Sequence, residues 1–151
     1  MADFRSDLHS DLHRAVATRL AEHDQQYTAN RRTVVDQLHA AGAPISLPDL
    51  LAASDSLAQS SAYRCLAVLE EAGIVRRLAH LGDHALFELD EHLTEHHHHL
   101  VCEECGAVVD VTLPSEVETA MDQGFDAVAS AAGFTAVHHT VDIHGRCRNC
   151  T

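Results

Sequence analysis

The chain has no tryptophan and no lysine, and its 151 residues include only two tyrosines, four phenylalanines and three prolines. No apolar stretch approaches the roughly eighteen residues that a membrane helix needs. The opening Met1-Ala-Asp-Phe-Arg-Ser-Asp has neither the basic nor the apolar character of a secretion leader. The expectation is a soluble, cytoplasmic protein without a membrane partner. Hydrophobic residues make up 46% of the chain, enough to bury a core, which excludes a disordered polypeptide. Without a secretion signal, the five cysteines are not expected to form a disulfide framework.

What is present is unevenly distributed. Residues 1–86 carry a net charge of −3 and residues 87–151 a net of −10, out of −13 in total. Such asymmetry predicts two modules with different partners, the second repelling phosphate and attracting cations. Histidine is abundant: fourteen residues, with His96, His97, His98 and His99 consecutive. This run leads directly into Leu100-Val101-Cys102, unlike a terminal affinity tag. The cysteines fall as Cys65 alone, Cys102-x-x-Cys105 and Cys147-x-x-Cys150.

The first half reads as helices. Leu8, Leu12, Val16 and Leu20 recur at steps of four over Asp7 to Glu22. Asn30 to Ala41 repeats the pattern and stops at Gly42-Ala43-Pro44. Leu47 to Ala53 is a short third helix, capped by Ser46 with Pro48 in its first turn. Ser60 to Ala72 places Ala62, Cys65, Leu66 and Leu69 on one face, and Ser60, Tyr63, Arg64, Ala67 and Glu71 on the other. Ile74 to Leu81 and His84 to Leu89 flank Gly82-Asp83 as a hairpin. Helices ending in a hairpin predict a winged helix-turn-helix whose last helix enters the DNA major groove.

Asp90 to Glu95 is polar and predicts a hinge. Beyond it, His97 to Val101, Ala107 to Leu113 and Ala136 to His144 read as strands, and Pro114 to Ala132 as a helix. The predicted class is α+β: a winged-helix DNA-binding domain over residues 1–89, a hinge over 90–95, and a small α/β dimerisation and metal-binding domain over 96–151.

Two matched Cys-x-x-Cys pairs predict one closed, structural Zn²⁺ site made of Cys102, Cys105, Cys147 and Cys150. The 41 residues between the pairs require the intervening helix and strand to return the chain. Cys65, on an apolar helix face, reads as a small core residue. In an extended strand His97 and His99 point one way, and His96 and His98 the other, so that one strand can serve two metals.

These motifs carry a resemblance. Tyr27-Thr-Ala-Asn-Arg-Arg, Ser60-Ser-Ala-Tyr63-Arg64, Glu71-Ala-Gly73-Ile-Val, the His96 to Cys105-Gly106 run, and His139-Thr-Val-Asp-Ile-His-Gly-Arg-Cys147-x-x-Cys150 are similar, in order, to the pattern of the ferric uptake regulator family. The resemblance covers about residues 10 to 151. It implies a homodimeric, metal-dependent transcriptional regulator, not an enzyme, that binds a palindromic double-stranded DNA operator when metal-loaded. Cys102, Cys105, Cys147 and Cys150 match the family's structural zinc site. His97 and His99 match the regulatory site at the hinge, where His92 falls at the place of a cysteine ligand in the zinc-sensing branch. His96, His98 and His139 match a further site, with Glu118 and Asp122 both open as its carboxylate. The DNA-binding candidates are Ser60, Ser61, Tyr63 and Arg64, with Arg31.

Arg76 stands where the zinc-sensing branch has an aspartate ligand, and His80 or His84 are the replacements. Glu88, Asp90 and Glu91 compete with His92 for the hinge position. The His-His-His-His run, where iron sensors read His-His-Asp-His, resembles the zinc uptake branch. Nitrogen-rich sites favour Zn²⁺ or Ni²⁺ over Fe²⁺, so zinc is the expected regulatory metal and nickel the runner-up. Peroxide sensing would need bound iron with carboxylate ligands. From other classes, a zinc buffer or metallochaperone suits the histidines and the acidity but requires no helix-turn-helix; a zinc hydrolase would need a catalytic signature such as H-E-x-x-H, which the chain lacks.

Overall fold

The computed structural model describes residues 4–78 and 84–151, with backbone alone for residues 4–8. It divides into two units, Met1–Glu95 and His96–Thr151.

The first unit opens with α1 (Phe4–Glu22) and α2 (Ala29–Ala41). Thr28 caps α2 by accepting from the Arg31 backbone N–H at 3.4 Å, and the helix ends at Gly42. Ile45–Ser46 forms a two-residue strand, β1, which sequence periodicity is too short to reveal. It runs straight into α3 (Leu47–Ala52), which Ser46 caps with Pro48 in the first turn. Next comes α4 (Gln59–Glu71), then β2 (Val75–Leu78) and β3 (Leu86–Leu89). The sheet order is β1-β3-β2, with Arg76 opposite Glu88 and Arg77 opposite Phe87. The expected hairpin turn at Gly82-Asp83, and His80 with it, lie outside the described residues. β3 begins two residues later than its sequence pattern suggests, because the ladder's last pair is Leu78 with Leu86.

The apolar faces predicted for the helices meet in one core. Val16 and Leu20 of α1, Val34 and Val35 of α2, Leu50 of α3, Leu69 of α4 and Ile74 are fully buried. Each such side chain contributes about 1.5–3 kcal/mol by leaving water. Cys65 belongs to this core, and burial pushes its thiol pKa up. After α4 the chain turns at Gly73 with φ of 65°, a left-handed conformation that favours glycine. Any Cβ there would also stand 3.2 Å from the Arg19 guanidinium, whose Nε donates to the Ala72 carbonyl at 3.1 Å.

The second unit is a three-stranded sheet in the order β5-β4-β6, with one helix. β4 (His98–Cys102) pairs antiparallel with β5 (Val108–Val111); α5 (Ser115–Ala131) then carries the chain back to β6 (Asp142–Gly145), parallel to β4. β4 is shifted by one residue from its sequence pattern, and β5 and β6 are shorter than theirs. β4 begins at His98, opposite Val111, so residues 112 and 113 have no ladder partner. Residues 136–141 also stay outside the β6 ladder, and His139 lies in that connecting segment.

The acidity is shared differently from the sequence-based split. Divided at Glu95, the units carry net charges of −7 and −6, because Glu88, Asp90, Glu91 and Glu95 fall in the first. Charge asymmetry therefore does not mark the boundary. Among the described residues no helix is long and apolar enough to cross a membrane.

Candidate metal centres and the exposed helix face

The register of β4 against β6 assembles the cysteines. Cys102 ends β4 opposite Gly145, two residues before Cys147, so the parallel pairing brings the two Cys-x-x-Cys turns side by side. Each turn closes on its own backbone: Gly106 N–H donates to the Cys102 carbonyl at 2.9 Å, and Cys150 N–H to the Cys147 carbonyl at 2.9 Å. Gly106 takes φ of 71°, the left-handed conformation this tight turn requires.

All four cysteines are free thiols, and their sulfurs lie within 4.8 Å of one another. Cys105 Sγ and Cys147 Sγ are 3.7 Å apart. Tetrahedral zinc with bonds of about 2.3 Å holds its sulfurs about 3.8 Å apart, whereas a disulfide needs about 2.05 Å. Backbone N–H groups of Cys105, Cys147 and Glu104 pull the Cys102 thiol down to about 6. Hydrogen bonds from the side chains of Cys147 and Cys105 push Cys150 up to about 12. One thiolate is therefore stabilised by the protein alone, while its neighbours disfavour a thiolate at Cys150 unless a cation stands among them, so the donor set fits a divalent metal.

The alternation of side chains along β4 separates two further clusters, as the strand reading predicts. His96 and His98 pack together with ring centroids 4.8 Å apart, and His97 and His99 with centroids 5.3 Å apart.

On the first of these faces, His96, His98, His139 and Glu118 offer ligand atoms all within 4.8 Å. Glu118 stands in the first turn of α5, its Oε1 2.6 Å from the Nε2 of the buried His98. Its Oε2 is 3.6 Å from His96 Nε2 and 3.5 Å from His139 Nε2. Burial raises the Glu118 pKa, but the His98 hydrogen bond and the electrostatic influence of His98, His96 and His139 outweigh it, so the carboxyl sits below its ordinary range. Of the two carboxylates left open by the sequence, Glu118 joins this cluster. Asp122, one turn later, instead contacts the far nitrogen of His139, Oδ1 to Nδ1 at 3.1 Å. With Nδ1–H directed at Asp122, the His139 Nε2 lone pair faces inward, buried and without a hydrogen-bond partner. A cation fits that arrangement.

On the opposite face, strand pairing supplies two carboxylates that no local spacing reveals. His99 is opposite Asp110 on β5 and opposite Asp142 on β6. His99 Nδ1 lies 3.0 Å from Asp142 Oδ1, while its Nε2 is 3.8 Å from Asp110 Oδ1 and His97 Nε2 is 4.0 Å from Asp110 Oδ2. Asp110, the polar residue within Val108-Val109-Asp110-Val111, was the available signal.

The other hinge candidates belong to the first unit. Arg76 Nε and a terminal nitrogen donate to Glu88 Oε1 at 3.0 and 2.6 Å, so the arginine that replaces the aspartate of the zinc-sensing branch holds the strand-opposite glutamate. His92 Nδ1 is 2.6 Å from Asp90 Oδ1, and the His92 backbone N–H donates to the same oxygen at 3.1 Å. His84 is exposed at the start of the segment leading into β3.

On α4, Tyr63 is 54% exposed, Arg64 and Ser60 are exposed, and Ser61 is half-buried. The helix thus presents a tyrosine and an arginine to solvent while its other face enters the core. Arg31 is more constrained: its guanidinium donates to the Gln26 carbonyl and, at 2.8 Å, to Gln25 Oε1.

A winged-helix unit in one chain with an α/β unit bearing thiolate and histidine–carboxylate clusters defines a metal-responsive DNA-binding regulator. Comparison with known proteins agrees. The profile of the ferric uptake regulator family matches residues 22–144. The ferric uptake regulation protein of Legionella pneumophila is 36% identical over 101 residues, covering 67% of this chain and 69% of that protein. The peroxide operon regulator of Bacillus subtilis is 27% identical over 145 residues, covering 93% and 94%. Among solved structures, the Helicobacter pylori ferric uptake regulator Fur, described as having three functional metal binding sites, superposes with a TM-score of 0.72 at 19% identity over 99% of this chain and 97% of that one. Holo XcZur superposes with a TM-score of 0.53 at 27% identity over 93% and 96%. The chain belongs to the ferric uptake regulator family. It is a metal-responsive transcriptional regulator rather than an enzyme.

Proposed function

We propose that the protein is a cytoplasmic, zinc-responsive repressor of the zinc uptake branch that binds a palindromic operator as a homodimer when metal-loaded. The observation that carries the reading is the convergence of His96, His98, His139 and Glu118 beside a separate four-cysteine cluster. Three imidazoles and one carboxylate make a nitrogen-rich donor set that favours Zn²⁺ or Ni²⁺. Cys102, Cys105, Cys147 and Cys150 then hold a structural Zn²⁺ with no open position, and Asp122 fixes the tautomer of His139 from behind.

His97 and His99, with a ligand from the first unit, form the regulatory site in this reading, His92 being the favoured partner and residues 90–95 the hinge. A metal shifts an equilibrium only through its preference for one state, and a site assembled from both units exists only when they are held together. His97→Ala with His99→Ala is expected to need at least about tenfold more zinc for half-maximal operator binding, while retaining its cysteine-bound zinc. A metal-titrated gel shift checks this; a wild-type zinc response in the double variant overturns the assignment of the sensing site.

Asp110 and Asp142 beside His97 and His99 favour a second reading. Two imidazoles with carboxylate oxygen also suit Fe²⁺ or Mn²⁺, and an iron- or peroxide-responsive regulator would use them. Operator binding restored by Fe²⁺ or Mn²⁺ but not by Zn²⁺ selects this alternative.

The exposed face of α4, with Ser60, Ser61, Tyr63 and Arg64, is the proposed major-groove surface, and Arg31 contributes from α2. Tyrosine meets thymine methyl groups, and arginine reaches guanine or phosphate. Arg64→Ala is expected to lose about 1–3 kcal/mol of operator binding and to relax preference at one base position if it reads a base. Fluorescence anisotropy against a panel of single-base operator variants measures both, and an unchanged affinity and preference would remove α4 as the recognition helix.

A further inference from the structure

The histidines of α1 are not explained by the sites above. His9 and His13 are four residues apart on α1 and therefore share one helical face. Asp36 of α2 packs against that face. His9 Nε2 is 3.1 Å from Asp36 Oδ1, His13 Nε2 is 2.9 Å from the same oxygen, and the two Nε2 atoms are 3.2 Å apart. We propose that His9, His13 and Asp36 form a divalent-cation site of the Zn²⁺ class, which ties α1 to α2 within the DNA-binding unit.

The triangle has the dimensions such an ion requires. Zinc bonds of about 2.0–2.1 Å at tetrahedral angles set neighbouring ligands about 3.3 Å apart, close to all three separations. Two imidazoles aim the same ring nitrogen, Nε2, at one carboxylate oxygen. His13 is also oriented from behind: its Nδ1 lies 2.6 Å from Tyr27 Oη. A proton on Nδ1 donated to that oxygen leaves the Nε2 lone pair for a metal, the outer hydrogen bond that metal-binding histidines commonly make. Burial holds the Tyr27 phenol protonated, pushing its pKa up to about 12, and burial likewise lowers that of His13, favouring the neutral imidazole.

His13 is 11% exposed, but His9 and Asp36 are 48% and 40% exposed, so the triangle opens to solvent on one side. Water or His39 completes the coordination there; His39 lies three residues on from Asp36, with its ring centroid 6.0 Å from that of His9. The site links residues 23 to 27 positions apart in the chain, and an ion bound only in the folded state would favour the folded arrangement of α1. It gives the DNA-binding unit a metal input of its own, independent of the ligands in the second unit.

The experiment is a Zn²⁺ titration of the full-length protein, already carrying its cysteine-bound zinc, followed by calorimetry and by histidine ¹H–¹⁵N NMR at pH 7.5. The wild type is expected to take up one equivalent more than His9→Gln/His13→Gln or Asp36→Asn. Its His9 and His13 ring nitrogens should shift at the same equivalence point. The His97→Ala/His99→Ala variant should keep this equivalent, which separates the present site from the proposed sensing site. His9 is half-exposed, so His9→Gln alone provides a folded control, expected to weaken the site at least about tenfold. Equal zinc stoichiometry in the wild type and the variants, or His9 and His13 resonances unmoved while the second unit fills, would overturn the proposal.

Discussion

Cys102→Ser is expected to unfold the second unit and abolish dimers while leaving the first unit helical. The reason lies in where the apolar residues go. The hydrophobic core cluster consists entirely of first-unit residues, from Leu12 to Leu89. In the second unit the buried side chains are His98, His99 and Cys102, and α5 buries none. With so little apolar area removed from water, a metal held by the four cysteines is expected to supply the missing free energy; folding zinc sites of this kind contribute about 10–16 kcal/mol at neutral pH. Losing one of four thiolates opens the coordination shell and leaves three cysteines clustered around a deficient site. Sedimentation velocity, with circular dichroism and zinc analysis, checks the outcome: a Cys102→Ser protein that sediments as a stable dimer would show that the metal is not a folding element.

Val128→Asp combined with Val137→Asp is expected to give a folded monomer with operator binding weakened by at least about tenfold. Val128 is 71% exposed and Val137 88%, with Phe134 at 73% and Phe125 at 41%. On the sheet, Val109 and Ile143 flank Leu100 in register, each at least two-fifths exposed. Exposed apolar side chains in this number, on a unit with hardly any core, suit a second copy of the same chain. Charges placed there would have to be desolvated in the dimer, and a monomer engages one half of a palindrome without the gain from simultaneous binding of the other. The Cys102, Cys105, Cys147 and Cys150 zinc should survive, which distinguishes this variant from Cys102→Ser. Light scattering that finds an undiminished dimer would place the interface elsewhere.

Much of this architecture was legible because its causes are local. A stripe of leucines and valines every three or four residues states which face of α1, α2 and α4 enters the core, whatever it packs against. Ser46 before Pro48 announces α3 through backbone chemistry confined to a few residues. The paired Cys-x-x-Cys turns declare their ligand type and spacing, and the two-residue alternation of a strand separates His97 and His99 from His96 and His98 without knowledge of the sheet.

Everything that depends on register or on the meeting of distant elements had to come from the tertiary structure. Glu118 and Asp122 share one helical face, and only the placement of α5 over β4 directs Glu118 to His98 while leaving Asp122 behind His139. Asp110 and Asp142 reach His99 because three strands align at one register, a choice no single strand encodes. Arg76 and Glu88 are opposite one another for the same reason. His9 and His13 announce a shared face by their spacing, but the carboxylate that completes the triangle comes from another helix, whose Val34 and Val35 join Leu12 and Val16 in one core. Residue chemistry and helical or strand period are properties of short segments, so the sequence alone determined them; which ligands share one ion depends on packing between segments tens of residues apart, and hydrophobic burial and strand pairing decided that.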